Sequence, residues 1–262
     1  MNRLVFAGVF ITILYLSPYQ LALANTDIER IQVTGNKNLT KDQSRFSNQV
    51  TIDIDTIDFP LQKISDVLLY TPGVTLNGQG GLWQSYNIRG QSKWRIKSLI
   101  DGININTDRR AGNSLSFIDP NLLSSIDVIS GPSSTYYGSG AIGGVINANL
   151  TQNDISTVTA GYQSFGNENS LAYTGSIIDE LYTGLAYRGA SNDENQQQQA
   201  LLSEFEQFSG YFTYEANIDD ETQLESSLIG SYGKDIGKSN NQYPDSRIST
   251  YPFEKHLLGK IT

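Results

Sequence analysis

Tyr137-Gly138-Ser139-Gly140-Ala141-Ile142-Gly143-Gly144-Val145-Ile146-Asn147 is the stretch that decides the fold. Its glycines permit positive φ and close backbone approach. The chain then passes directly into Val145 and Ile146, whose branched side chains favour a pleated strand. A phosphate-cradling loop is the competing reading of such a run. That loop needs a Lys-Ser or Lys-Thr after its glycines and a helix to follow. This sequence supplies a strand instead, so the stretch reads as a tight turn that delivers a strand into crowded surroundings.

The flanks extend that reading. Just upstream, Ile126-Asp127-Val128-Ile129-Ser130-Gly131-Pro132 sets a strand and another turn. Asp119-Pro120 places an N-cap and a first-turn proline ahead of Leu122, Leu123 and Ile126, which predicts a second short helix. Strands are expected over 86–89 and 98–103. Earlier, Pro60 opens a first helix whose apolar face is Ile64, Val67 and Leu68, and Thr71-Pro72-Gly73 stops it. Val50, Ile52 and Ile54 alternate in the strand manner. Short strands and helices in mixed order predict a compact α+β domain over 50–150.

Downstream the texture changes. Val158, Ala160 and Tyr162 alternate with polar residues, as do Leu171, Tyr173 and Ile177, and then Leu181, Leu185 and Tyr187. Further strands are expected over 208–216, 222–232 and 255–262. Such lengths fit transmembrane β-strands of about 9–11 residues. The connections 179–180 and 218–221 are tight, whereas 191–207 and 233–254 are long and polar, the pattern of periplasmic turns and outer loops. The short connection 166–169 is an exception on the long side, and Asn192 to Gln199 reads as a solvated loop. Residues 151–262 thus predict the start of a transmembrane antiparallel β-barrel, with about six strands.

Composition narrows the function classes. A formal net charge of −9 argues against nucleic acid as a partner. With no Cys, disulfides, cysteine-ligated zinc and thiol catalysis are excluded. A single His and no clustered carboxylates at an evident cleft argue against an enzyme, and no cofactor is expected. Many Gly and Tyr with few long apolar runs suit a barrel, where only alternate residues meet lipid. Arg3, the apolar run Leu4 to Leu16, and Ala22-Leu23-Ala24 predict a signal peptide over 1–24, with a mature N-terminus at Asn25. The apolar run is shorter than the roughly 20 residues a membrane helix needs.

Five motifs in order resemble the plug domain of TonB-dependent outer-membrane receptors: Asn87-Ile88-Arg89-Gly90, Ile100-Asp101-Gly102-Ile103, Asp119-Pro120, Ile126 to Pro132, and Tyr137 to Asn147. The resemblance is detailed over 31–150 and rests on strand pattern beyond. It implies an α+β plug seated in a barrel of about 22 strands. It also implies that Glu29-Arg30-Ile31-Gln32-Val33-Thr34, within the linker 25–49, is the TonB box, an extended peptide that joins the edge of the TonB sheet. TonB with its inner-membrane energising complex, and outer-membrane lipid around the barrel, are the implied partners. The N-terminus would face the periplasm of a Gram-negative bacterium. Family members often lock the plug by pairing two arginines with barrel carboxylates. Here Ser130 holds one of those Arg positions and Asp127 stands where Glu is usual, which leaves Arg89 as the plug lock.

The outward plug loops are expected at 79–84, 91–95 and 106–114. They carry Trp83, Gln84, Lys93, Trp94, Arg95, Arg109 and Arg110 as candidate ligand contacts. Cations beside indoles suit an anionic, partly aromatic ligand such as a ferric siderophore or haem, the latter free or on a carrier protein. Receptors for another scarce nutrient such as cobalamin, and a chain that only binds ligand or partner, are the alternatives. Related haem receptors often carry a His in the third loop, where this chain has Arg109-Arg110-Ala111. Its one His, His256, falls on an expected barrel strand, so no metal or haem ligand is assigned. A passive porin would lack both plug and TonB box. The chain stops at Ile261-Thr262 inside a strand pattern, and roughly 16 further strands would be needed for closure. A fragment, truncated product or split reading frame is therefore expected.

Overall fold

The structure is a computed structural model that describes residues 48–57, 61, 63–77, 82, 84–106, 114–219, 222–238 and 250–262. The chain divides into two compact units, Met1–Lys37 and Asn38–Thr262, and all described residues belong to the second. The predicted signal peptide and TonB box, together with Pro60, Trp83, Arg109 and Arg110, lie outside the described residues.

The α+β part contains β1 (Gln49–Asp53), α1 (Ile64–Leu68), β2 (Val74–Asn77), β3 (Ser85–Ile88), β4 (Gln91–Ser92), β5 (Ile96–Ile100), β6 (Ile103–Asn104), β7 (Leu123–Ser130), α2 (Ser134–Tyr137) and β8 (Gly144–Leu150). One sheet runs β1-β7-β8-β5-β6, and a smaller one β2-β3-β4. β5 lies parallel to β8, while β7 pairs antiparallel with both β8 and β1. The glycines of the deciding stretch sit where strands crowd. A Cβ on Gly144 would stand 2.5 Å from the carbonyl oxygen of Ile129, and one on Gly143 would stand 2.4 Å from Cβ of Gln91. Both approaches are closer than any side chain tolerates.

The expected second helix does not form. Asp119 does cap, accepting from the Asn121 N–H at 2.9 Å, but only a single 3-10 turn, Pro120–Leu122, follows. Leu123 and Ile126 belong to β7 instead. The reason is that Ile126 pairs with Ile52 on one side and Ala148 on the other. Two strand ladders outweigh a cap contribution of about 1 kcal/mol.

The second part is an antiparallel meander: β9 (Thr157–Gln163), β10 (Glu168–Ile178), β11 (Leu181–Ala190), β14 (Phe205–Asn217), β15 (Gln223–Gly237) and β16 (Thr250–Ile261), with a small hairpin of β12 (Asp193–Glu194) and β13 (Ala200–Leu201) between β11 and β14. The six wall strands stand in the order β16-β15-β14-β11-β10-β9. β14 and β15, at 13 and 15 residues, run beyond what a bilayer requires. The expected solvated loop at 192–199 is in part ordered. The Asn192 side-chain oxygen accepts from the N–H groups of Ser203 and Glu204 at 2.9 and 3.1 Å and closes the β12–β13 hairpin.

Alternation gives the wall two faces. Leu171, Leu185, Phe208, Phe212, Leu228 and Leu257 point out and are exposed, while Ala172, Ala186, Tyr211 and Ile229 point in. The inward set is buried in one cluster with Ile100, Leu122, Ile126 and Ile146 of the α+β part. Plug and wall therefore share a core. Among the described residues no helix is long and apolar enough to cross a membrane. That leaves crossing by strands open, as in a β-barrel.

Candidate functional site

The candidate site is the seam where the α+β domain seats against the inner face of the wall. It is best followed from the end carrying the long connections, the outer end by the loop-length rule. There Leu82 packs with Phe205 and Ile236, the latter two near the ends of β14 and β15. Gln84 stands just below, its carbonyl accepting from the Ser114 hydroxyl at 2.9 Å.

The next layer is ionic. Arg188 on β11 is 1% exposed. Its Nε donates to Gln207 Oε1 at 2.7 Å, and its Nη2 donates to the carbonyls of Ser116 at 2.6 Å and Ile118 at 3.4 Å. Gln207 Nε2 donates to the same Ser116 carbonyl at 3.2 Å. A barrel cation thus grips a plug loop by its backbone. Asp66, Asp119 and Glu168 surround the guanidinium and offset its charge. Burial pushes the carboxyls of Asp119 and Asp66 above their usual range, and the nearby Arg188 opposes that rise in each. A second cross-seam pair joins Lys63 of the plug to Glu168 of β10 at 3.0 Å, with the Glu168 side chain 3% exposed. Phe117 stacks on His256 of β16, with centroids 4.2 Å apart and planes at 20°. His256 Nε2 also lies 2.9 Å from Glu254 Oε1, so this imidazole is occupied within the seam.

Lower down, the Asp119 N–H donates to Ser209 Oγ at 3.2 Å, and the Tyr211 hydroxyl donates to the Thr151 carbonyl. At the inner end the Asp101-Gly102 turn meets the wall. Asp101 accepts from the Leu150 N–H at 3.0 Å. Its other oxygen is buried without a hydrogen-bond partner among the described residues. Burial pushes this carboxyl up to about 6; the Leu150 N–H and Lys260 work against the rise, and Glu225 and Glu215 add to it.

Arg89 is exposed, with φ 47°, and its N–H donates to the Gly73 carbonyl at 2.8 Å. Among the described residues no carboxylate pairs with it. Asp127 is bound inside the plug by Gln49, Thr51 and Asn149. Lys93, Trp94 and Arg95 form an exposed 3-10 turn. The turn lies against Gly140 and Gly143. Arg188, Glu168, Lys63 and Gln207, which do not stand out in the sequence, are among the polar plug–wall contacts seen in the described residues. Their signal was parity: Arg188 and Glu168 occupy inward positions of strands whose outward positions are apolar.

Known proteins place this architecture. A family model described as TonB-dependent Receptor Plug Domain matches residues 40–145. A hemin receptor of Yersinia enterocolitica is 35% identical over 121 residues, 44% of this chain and 17% of that protein. The vitamin B12 transporter BtuB of Vibrio vulnificus (strain YJ016) is 32% identical over 175 residues, 65% of this chain and 27% of that protein. The matched part of the chain thus spans about a sixth to a quarter of the length of these relatives. The fold is similar to that of the copper transporter OprC, with a TM-score of 0.62 at 19% identity, covering 71% of this chain and 30% of that one. It is also similar to the ferric enterobactin receptor PfeA of Pseudomonas aeruginosa, with a TM-score of 0.59 at 18% identity, covering 83% and 38%. Names of this kind belong to receptors and transporters, not enzymes. A plug sheet that carries the matched sequence and shares its core with an antiparallel wall gives this chain a TonB-dependent receptor plug domain seated on a wall similar in fold to those of such receptors.

Proposed function

We propose that this chain supplies the plug and the first wall strands of an energised importer for an iron complex, siderophore or haem. The observation that carries the reading is the seam. A plug held to the wall by a shared apolar core, by Arg188 and by the Lys63–Glu168 pair closes the lumen at rest, and a directed pull would have to break these contacts in turn. The pull would come from TonB, through strand addition to Ile31 to Thr34. Trp83, Gln84, Lys93, Trp94, Arg95, Arg109 and Arg110 would be the contacts of an anionic, partly aromatic ligand. Arg89 would lock the plug to the wall. The signal peptide would leave the linker in the periplasm. Names of the hemin receptors among the relatives favour an iron complex. Cobalamin is the second reading, because the likeness to the vitamin B12 transporter extends over more of this chain.

The test is nutritional. Cells lacking the gene are grown with haem, a ferric catecholate or cobalamin as the limiting nutrient. Loss of growth on haem or the catecholate alone is expected. Loss on cobalamin alone would move the assignment to the second reading, and growth on all three would remove it.

A further inference from the structure

The outward face of the wall has a depression that the plug reading does not use. Leu185, Gly210, Gly230 and Leu257 are successive cross-strand partners from β11 to β16. Two adjacent strands therefore present glycine in the middle of an apolar row. The rungs on either side carry Phe208 and Tyr232, and Phe212 and Leu228. The result is an open apolar concavity of about 800 Å³, floored by Gly230, with Leu185 packed over Gly210, and walled by these rings and leucines. A Cβ on Gly230 would meet nothing within 4 Å, so that part of the floor is open space. Its volume is within the roughly 300–1,000 Å³ of small-molecule sites.

A cation stands at its upper rim. Lys255 is the cross-strand partner of Tyr232, one rung nearer the outer end than Leu257. Its Nζ lies 5.6 Å from the Tyr232 ring and 5.5 Å from the Phe253 ring. A lysine on a lipid-facing position is costly unless something anionic answers it. Lys234 and Lys260 on the same two strands have carboxylates at 3.0 and 2.7 Å. Among the described residues none pairs with Lys255.

We propose that this groove is a specific site for an anionic phospholipid, with one acyl chain lying over Gly230 beside Leu185 and the headgroup phosphate held by Lys255. Ordinary bilayer contact explains an apolar face. It does not explain a glycine-floored hollow beneath an unanswered cation between two rings. The site rests on the barrel reading above, and the experiment separates the two.

The intact receptor is reconstituted into phosphatidylcholine nanodiscs doped with phosphatidylglycerol, released in mild detergent, and its bound lipids identified by native mass spectrometry. The wild type should retain phosphatidylglycerol in preference to phosphatidylcholine. Lys255→Gln should cut that preference about fivefold, the effect of roughly one surface cation on an anionic lipid, while still holding a lipid. Gly230→Phe should fill the hollow and lower retention of both lipids. The same lipid ratio and amount in all three proteins would overturn the site. Resistance to carbonate extraction is read in parallel. A wild type that washes off the membrane would overturn the barrel reading itself, and the site with it.

Discussion

A guanidinium with 1% of its surface exposed must find partners for its donors, and Arg188 finds them in Gln207 and in two carbonyls across the seam. Removing it takes the donor from Gln207 Oε1 and the Ile118 carbonyl and the nearby cation from Asp119. Arg188→Met is expected to destabilise by several kcal/mol, since each buried acceptor left unpaired costs about 1–3 kcal/mol, measured by denaturant unfolding in detergent. Arg188→Lys keeps the charge but not the fork and should fall between. At the inner end Asp101 gives the seam a pH dependence. Its folded pKa of about 6 exceeds the ordinary 3.8, so the folded state holds the proton more tightly. The stability this contributes is full below 3.8 and is lost as pH rises through about 6, a change of order 3 kcal/mol. Unfolding measured from pH 4 to 7 should show that decline in the wild type and a smaller one in Asp101→Asn, since the raised carboxyls of Asp119 and Asp66 remain. Neither residue stood out in the sequence. Asp101 was legible as part of a turn motif, but its burial depends on a wall strand more than a hundred residues away.

At the level of elements, what was legible was what local chemistry decides. The glycine-lined turn into β8 was, because no side chain fits between Gly144 and the Ile129 carbonyl. Gly144→Val should therefore destabilise by at least the roughly 1–3 kcal/mol of an overpacked core, seen as a lowered unfolding midpoint, while Ile142→Val, at an exposed site, should not. The wall strands were legible through period-two alternation, and the structure lengthens them at their outer ends. The second helix was misread because Leu122, Leu123 and Ile126 fit a helical face as well as a strand, and only pairing with β1 and β8 decides between them. The β12–β13 hairpin was hidden for a similar reason: its closure uses one Asn side chain and not an apolar pattern. The outward loops are testable as an element too. Converting Arg109 and Arg110 to Glu should weaken surface binding of an anionic ligand markedly, since like-charge contact in an interface costs several kcal/mol. Unchanged affinity would make these arginines bystanders.

Across the whole molecule, plug and wall fold around one cluster that runs from Ile52 through Leu122 to Tyr211 and Ile229. The sequence announced the two parts separately, by motif and by alternation. It did not announce which residues join them, since cross-seam partners are set by the tilt of one sheet against another. The arrangement suits a plug that stays seated until pulled, and the pull is the central claim. Its most direct test is Val33→Pro in the intact receptor, read as ligand binding at the cell surface beside energy-dependent uptake. Proline removes a main-chain donor and so blocks strand addition. The account predicts that binding is retained and uptake is lost. Uptake at the wild-type rate in that variant would contradict it.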